Sequence, residues 1–124
     1  MAQKQPARPD RDCEDCPRLR SFLLENREKY PDWHNAPVNS FGDINGEILI
    51  VGLAPGLKGA NRTGRPFTGD YAGDLLYDTL LKYGLAEGFY EANPTDGLSL
   101  NNCRITNAVR SLPPENKPIG SEVK

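Results

Sequence analysis

Length, composition and charge limit what this chain can be. Its 124 residues are enough for one small domain and too few for two. Hydrophobic residues make up 37% of the sequence, below the roughly 45–50% of an average globular chain, and no stretch approaches the ~20 apolar residues of a membrane-spanning helix. The formal net charge of −2 excludes a globally basic protein, so any contact with nucleic acid has to come from a local patch.

The N-terminal segment predicts location and redox state. Residues 1–12 carry two prolines and many charges, which predicts a mobile tail. They lack the apolar stretch of a signal peptide, so we expect a cytoplasmic protein with no membrane contact. In a reducing compartment the three cysteines are expected to be metal ligands or free thiols rather than disulfides.

Two of these cysteines lie at chelating spacing. Cys13 and Cys16 form a C-x-x-C pair just before a helical pattern, where two thiolates can bind one metal or hold one corner of an iron–sulfur cluster. A thioredoxin-like redox pair would need a preceding strand, and the sequence before Cys13 predicts none. Cys103 lies inside a strand pattern, which favours a buried apolar filler over a ligand.

The regular elements begin with a helix. Apolar residues at helical spacing predict a helix from about Leu19 to Tyr30, ended by Pro31. Residues 31–46 have no period and many turn formers, so a long loop is expected there. The continuous apolar run within residues 47–53 predicts a strand buried on both faces.

A second helix and a second strand follow. An apolar stripe predicts a helix that begins near Ala72 and has Gly84 as its C-cap. Residues 88–101 are expected to be loop, and residues 103–109 a strand. The Pro113-Pro114 pair is expected to prevent regular structure after it.

These elements predict an α/β fold with a short parallel sheet. Two strands are too few to complete such a sheet with helices on both faces. The last residues, 121–124, also predict no terminating element. We therefore expect residues 13–124 to be the N-terminal part of a larger domain, and the fold to be incomplete in this chain.

The loop between the first strand and the second helix is the strongest candidate site. It runs over residues 52–70 and is rich in glycine and proline. In open α/β sheets, ligands bind outside the carboxyl ends of the strands. The loop matches neither a P-loop nor the G-x-G-x-x-G pattern. It is locally basic, with Lys58, Arg62 and Arg65 against the single acid Asp70.

Three side chains in and near this loop suggest chemistry, each with a simpler alternative. Phe67, between Pro66 and Thr68, suits stacking on a flipped nucleobase or core packing where the helix begins. Asp70 suits placing a water or stabilising a cationic sugar, or capping the helix. Asn107, at the end of the second strand, suits pairing with a base edge or forming an Asx turn.

Three separated motifs resemble one family. They read CEDCPRL, VGLAPGLKGANRTGRPFTGDYAGDLLY and CRITNAVRSLPPENKP, in that order. Together they resemble the uracil-DNA glycosylase superfamily, and in particular its iron–sulfur families four and five. The GLAP…NRTGRPFTGD form is similar to family five, and the similarity extends from Cys13 to Pro118.

The resemblance implies a three-layer α/β/α sandwich and an enzyme of base excision repair that hydrolyses the N-glycosidic bond of flipped-out uracil in DNA. It implies that Phe67 stacks on the base and that Asn107 reads the uracil edge. Family four carries an acid in the first motif, where this chain is apolar, so the water-positioning role passes to Asp70, where a carboxylate near the sugar would also stabilise positive charge. The first motif lines the uracil and water site with Gly52, Leu53, Ala54, Pro55 and Gly56.

The resemblance also implies a 4Fe-4S cluster held by four cysteines. Cys13 and Cys16 match the first two ligands, Ser111 occupies the third position, and the fourth would lie beyond Lys124. The C-terminal motif with the family's catalytic histidine is not in this sequence, and His34, the single histidine, is not assigned that role.

The implied partner is uracil-containing DNA, bound by a monomer associated with the nucleoid. Two other functions stay open at this point. One is a non-catalytic remnant that keeps the loop facing nucleic acid. The other is a nucleotide- or phosphate-binding α/β module that uses the loop at residues 52–69.

Overall fold

The computed structural model describes residues 11–123. The helices are α1 (Pro17–Lys29), α2 (Ala60–Thr63), α3 (Tyr71–Lys82) and α4 (Gly120–Val123), with a 3₁₀ turn at Pro114–Asn116. The strands are β1 (Phe41–Gly42), β2 (Ile48–Gly52), β3 (Ala86–Glu87), β4 (Ser99–Leu100) and β5 (Cys103–Asn107). Among the described residues, no helix is both long enough and apolar enough to cross a membrane.

The main sheet has three strands in the order β1-β5-β2. The central strand β5 runs parallel to β2 and antiparallel to β1. The parallel register pairs Gly52 with Asn107, so both strands end at the same edge of the sheet. This arrangement confirms the predicted α/β class, and β3 and β4 form a separate two-stranded sheet.

Strand β2 corrects one expectation from the sequence. Leu49, Val51 and Leu53 alternate onto one face and are 60%, 55% and 59% exposed. Ile50, on the other face, packs against the core cluster. The prediction of burial on both faces is therefore wrong: β2 is an edge strand, and the described core covers only one side of it.

The two predicted long helices are confirmed. Helix α1 has a proline in its first turn and ends at Lys29, and its cap residue Tyr30 immediately precedes Pro31. Helix α3 ends at Lys82, and Gly84 follows with a φ of +75°, the left-handed conformation that glycine adopts at helix ends.

Several short elements were not predicted. Strand β1 lies in the predicted loop at residues 31–46, α2 lies in the 52–70 loop, and β4 lies within residues 88–101. The expectation that Pro113-Pro114 ends regular structure is wrong, because a 3₁₀ turn begins at Pro114 itself and α4 follows. Elements of two to four residues are too short to show a hydrophobic period. The predicted tail, residues 1–12, lies outside the described residues except for its last two.

The core cluster packs α3 against β5 and the small sheet. Tyr77 and Leu80 from α3 contact Cys103 and Ile105 of β5, all of them buried. Cys103 is fully buried, which confirms the prediction of an apolar filler.

A buried ion pair lies beside this core. Arg65 donates to both carboxylate oxygens of Asp96 at 2.9 Å, and the two side chains are 5% and 0% exposed. The rings of Phe41, Tyr77 and Tyr90 surround the guanidinium at 4.9, 5.3 and 5.8 Å. The hydrogen bonds from Arg65, joined by two from backbone N–H groups, hold the pKa of Asp96 well below its ordinary value.

The lowered pKa of Asp96 predicts a loss of stability in acid. A carboxyl group with a depressed folded-state pKa contributes stability above the unfolded value of about 3.9 and loses it as the pH falls further. We expect Asp96→Asn to reduce the free energy of unfolding by roughly 3–5 kcal/mol at pH 7, and the difference from wild type to shrink as the pH falls from 4 to 2. Urea titrations along this pH series measure it.

The control is Asp78→Asn, which changes an exposed aspartate of α3. It should leave both the stability and its dependence on pH close to those of the wild type. A deficit in Asp96→Asn that stays constant from pH 7 to pH 2 would contradict the assignment.

Candidate functional site

A cavity of about 230 Å³ lies at the carboxyl ends of β2 and β5. It forms where the loop after β2, the start of α3 and the end of β5 meet, the edge at which open α/β sheets bind ligands. Its lining residues are Leu53, Ala54, Pro55, Gly56, Ala60, Phe67, Asp70, Ala72, Asn107 and Asn116. The structure thus brings together the residues singled out in the loop and at the end of the second strand.

Gly52 lies where the Phe67 ring and the Asn107 amide approach each other. A β-carbon on Gly52 would lie 2.6 Å from Cζ of Phe67 and 2.5 Å from Oδ1 of Asn107. Both distances are too short for a side chain at this position unless the Phe67 ring and the Asn107 amide move, so glycine keeps the two in place. The parallel register places Asn107 beside Gly52, and the Phe67 ring lies close to Gly52 as well.

The backbone of Phe67 is in the left-handed region, with a φ of +53°, a conformation that is uncommon for residues other than glycine. Helix α3 packs directly on it, since a β-carbon on Gly73 would collide with the Phe67 carbonyl oxygen. The ring is half-buried, packs against the core cluster and also lines the cavity. The geometry therefore shows the core packing considered from the sequence, and it also places the ring at the cavity.

Asp70 uses its two carboxylate oxygens differently. Oδ1 accepts a hydrogen bond from the Gly73 N–H at 3.0 Å, which caps α3. Oδ2 faces the loop after β2, where a β-carbon on Gly56 would lie 3.3 Å from it. Asp70 is the only charged side chain among the residues that line the cavity. Capping therefore leaves Oδ2 outside the helix cap and beside the backbone of the loop, closer to Gly59 than to Gly56.

The cavity also contains residues that the sequence did not single out. Asn116, in the 3₁₀ turn, has a φ of +58° and lines the cavity opposite the loop. Asn116 belongs to the same downstream motif as Asn107. Membership of that motif is the sequence feature that could have pointed to Asn116. Ala60 and Ala72 are small residues at the starts of α2 and α3, and nothing in their type distinguishes them in the sequence.

A second cavity, of about 220 Å³, lies between the start of α1 and the segment after β5. Cys13, Cys16 and Ser111 all line it, so the structure brings the C-x-x-C pair and the serine together. Glu122 lines it too, but Arg18 and the Ile119 N–H already donate to that carboxylate. Burial raises the pKa of the Cys16 thiol, and the charge of Glu122 raises it further.

Comparison with known proteins identifies the family. A model of the uracil DNA glycosylase superfamily matches residues 39–124, which include all of the first cavity's lining residues. The chain belongs to this superfamily. The match begins before β1 and therefore covers the whole three-stranded sheet.

Individual members of the superfamily are similar over almost the whole chain. A type-5 uracil-DNA glycosylase of Thermus thermophilus is 44% identical over 118 residues, covering 90% of this chain and 53% of the relative. One of Pyrobaculum aerophilum is 39% identical over 115 residues, covering 90% and 51%. One of Mycobacterium tuberculosis is 43% identical over 116 residues, covering 89% and 43%. The chain thus spans about half the length of the curated relatives it matches.

The donors around the second cavity do not match a cluster held by four cysteines. Two are thiols, one is the hydroxyl of Ser111, and the other two are the carboxylates of Asp15 and Glu122, of which Glu122 already accepts from Arg18. Over residues 11–123, the structure contains no group of three or more His, Cys, Asp or Glu side chains that could hold a metal ion. His34 bonds with the Pro37 carbonyl through Nε2 and does not line the first cavity.

Proposed function

We propose that this chain carries the uracil-binding and water-positioning part of a uracil-DNA glycosylase. The supporting observation is that an aromatic ring, an amide and a carboxylate, from Phe67, Asn107 and Asp70, converge on one cavity. Phe67 and Asp70 come from the loop after β2, and Asn107 comes from the separate downstream motif at the end of β5. The type-5 uracil-DNA glycosylases to which the chain is similar make this the favoured chemistry.

The cavity suits a single base extruded from DNA. Its volume of about 230 Å³ is below the roughly 300–1,000 Å³ of sites for drug-sized ligands, which favours one pyrimidine ring over a whole nucleotide cofactor. The Phe67 ring would stack on the flipped base. The Asn107 amide has both donors and an acceptor, which complement the N–H and carbonyl groups of the uracil edge.

Asp70 would act on the sugar and the water. Hydrolysis breaks the bond between the base and C1′, and the electron pair of that bond leaves with the base. The oxygen of water then bonds to C1′, and the proton that the water loses ends on the departing base. An ionised carboxylate beside this carbon would stabilise the positive charge that develops on the sugar and would orient the water. The Oδ2 atom of Asp70 is available for this role because the helix cap uses Oδ1.

The phosphate-binding alternative is less favoured. Among the residues that line the cavity, the single charged side chain is a carboxylate, which would repel a phosphate. Lys58 is exposed and does not line the cavity, and Arg62 donates to the Gly69 carbonyl at 3.0 Å. We further propose that the protein works as a monomer on DNA of the bacterial nucleoid, in the cytoplasm.

The first test is uracil release from a single-stranded oligonucleotide with one uracil. It is measured for this chain alone and for a chimera that continues it with the remaining part of the Thermus thermophilus relative. We expect release by the chimera. Asn107→Ala in the chimera should reduce discrimination between uracil and thymine by roughly tenfold or more, because the base edge then has no matching amide.

Asn39→Ala is the matched control, since Asn39 is exposed and outside the cavity. It should leave discrimination unchanged. Equal discrimination by both variants would remove Asn107 from the site. A chimera that binds uracil-containing DNA without releasing uracil would favour the non-catalytic remnant instead.

A second test separates chemistry from capping at Asp70. Asn is also a good N-cap residue, so Asp70→Asn should leave the melting temperature nearly unchanged. Loss of the negative charge should nevertheless reduce the single-turnover cleavage rate of the chimera by about 100-fold or more. Near-normal cleavage by Asp70→Asn would leave helix capping as the role of this residue.

We also propose that the cavity with Cys13, Cys16 and Ser111 holds no stable four-iron cluster in this chain. The ligands of such clusters are thiolates, whereas a serine hydroxyl stays protonated near neutral pH and binds iron poorly. We expect Ser111→Cys to raise the iron and sulfide retained after anaerobic reconstitution several-fold over wild type, because it completes a set of three thiols.

Cys103→Ser is the control for this reconstitution, since Cys103 lies in the core and not in this cavity. In the Ser111→Cys background it should not lower iron retention, whereas Cys13→Ser should. Stoichiometric iron and sulfide in the wild-type chain would contradict the proposal and make Ser111 a ligand.

A further inference from the structure

The backbone of Phe67 is held in place on both sides. A non-glycine residue at a φ of +53° is strained, and such strain persists only where the surroundings over-determine it. Two peptide planes flank the residue, and each is marked by a carbonyl group. The Phe67 carbonyl on the C-terminal side is pressed against Gly73 of α3. The Pro66 carbonyl lies in the peptide plane on the N-terminal side. The φ angle of Phe67 is the rotation about its N–Cα bond relative to that plane.

Two hydroxyl groups fix the Pro66 carbonyl. The Tyr77 hydroxyl donates a short hydrogen bond to it, and the Thr68 hydroxyl donates a second one at 3.1 Å. Tyr77 and Thr68 are both completely buried. Burial raises the pKa of Tyr77 to about 12, so its hydroxyl stays a donor throughout the neutral pH range.

The ion pair of Arg65 and Asp96 holds the Thr68 hydroxyl in turn. Nε of Arg65 donates to Oγ1 of Thr68 at 2.9 Å, while its two terminal nitrogens are bound to Asp96. Asp96 is itself oriented by the N–H groups of Glu91 and Leu98. A continuous set of hydrogen bonds therefore leads from the 88–98 loop to the peptide plane that precedes Phe67.

Resting on the proposed function, we propose that Arg65, Asp96 and Tyr77 are positioning residues that hold the Phe67 ring in the orientation for stacking on the base. None of the three lines the cavity, so they act through the Pro66 carbonyl and not on the substrate. The planar, bidentate guanidinium is needed for this arrangement, and a lysine would not reproduce it.

The direct test measures the backbone of Phe67 in the full 124-residue chain without DNA. At positive φ the amide and α protons of a residue lie close together, so Phe67 should give a strong intraresidue NOE. Tyr77→Phe removes one hydroxyl and keeps the ring. We expect it to weaken this NOE markedly, and Asp96→Asn to do the same.

Tyr83→Phe is the matched control, because it deletes the same hydroxyl from a tyrosine that is 69% exposed at the end of α3. The NOE should stay at wild-type strength in this variant. Should Asp96→Asn fail to fold, Thr68→Val tests the next step of the same hydrogen-bond network, because it removes the bond from Arg65 Nε and the bond to the Pro66 carbonyl. An undiminished NOE in Tyr77→Phe and Thr68→Val would overturn the proposal.

A second measurement connects this geometry to the base. The affinity of the chain is compared for two single-stranded oligonucleotides, one with uracil and one with a tetrahydrofuran abasic site at the same position. Phe67→Ala should lower the ratio of these affinities by roughly 5- to 150-fold, the value of one stacked base. Tyr77→Phe should lower it by about 2- to 12-fold, as expected for one hydrogen bond, and affinity for the abasic strand should not change.

The double variant distinguishes positioning from general destabilisation. Once Phe67 is alanine, Tyr77→Phe should not lower the ratio further, because no ring is left to orient. A further drop of the same size in the double variant would overturn the positioning role. An unchanged ratio in Phe67→Ala alone would instead contradict the proposed function at this residue, while the NOE still decides the backbone geometry independently.

Discussion

The ion pair between Arg65 and Asp96 is the interaction on which the rest of this site depends. Burying two charges is costly unless both are paired and fully hydrogen-bonded. Here the carboxylate accepts from the guanidinium and from two backbone N–H groups, while three aromatic rings surround the cation. Because the partners are 31 residues apart, the pair also joins the loop after β2 to the loop that leads into β4.

Besides this cross-link, close contacts restrict the glycine-rich segment around the cavity. Glycine segments are flexible in isolation, yet close contacts restrict this one at several points. Gly52 has no room for a side chain beside the Phe67 ring and the Asn107 amide, and Gly73 has none beside the Phe67 carbonyl. The glycines therefore serve close packing around the cavity, where side chains from three parts of the chain approach one another.

The two faces of strand β2 differ in their exposure to solvent. One face of β2 packs into the core through Ile50, while Leu49, Val51 and Leu53 are exposed on the other. Exposed apolar side chains in a row on an edge strand are unusual for a monomeric domain and favour association. The described residues thus leave this face of β2 uncovered, and the relatives that the chain matches are about twice as long.

Local patterns in the sequence were sufficient to predict the long elements and the location of the site. The helical stripe of α3, the apolar run of β2 and the strand at Cys103 each showed a hydrophobic pattern, and local periodicity is a property of neighbouring residues. The resemblance of the three motifs to the uracil-DNA glycosylase superfamily also singled out Phe67, Asp70 and Asn107. The structure places all three at one cavity. Their chemical roles there are proposals that the geometry supports.

The side chains that hold these residues in place could be identified from the packed fold alone. The sequence predicted residues 88–101 as loop and gave no role to Asp96, because its partner Arg65 is distant along the chain and no local pattern links them. It also predicted burial on both faces of β2, since a run of apolar residues reports hydrophobicity but not how many layers cover the strand. Long-range pairing and the number of covering layers depend on the packed fold, and for that reason local sequence patterns could not reveal them.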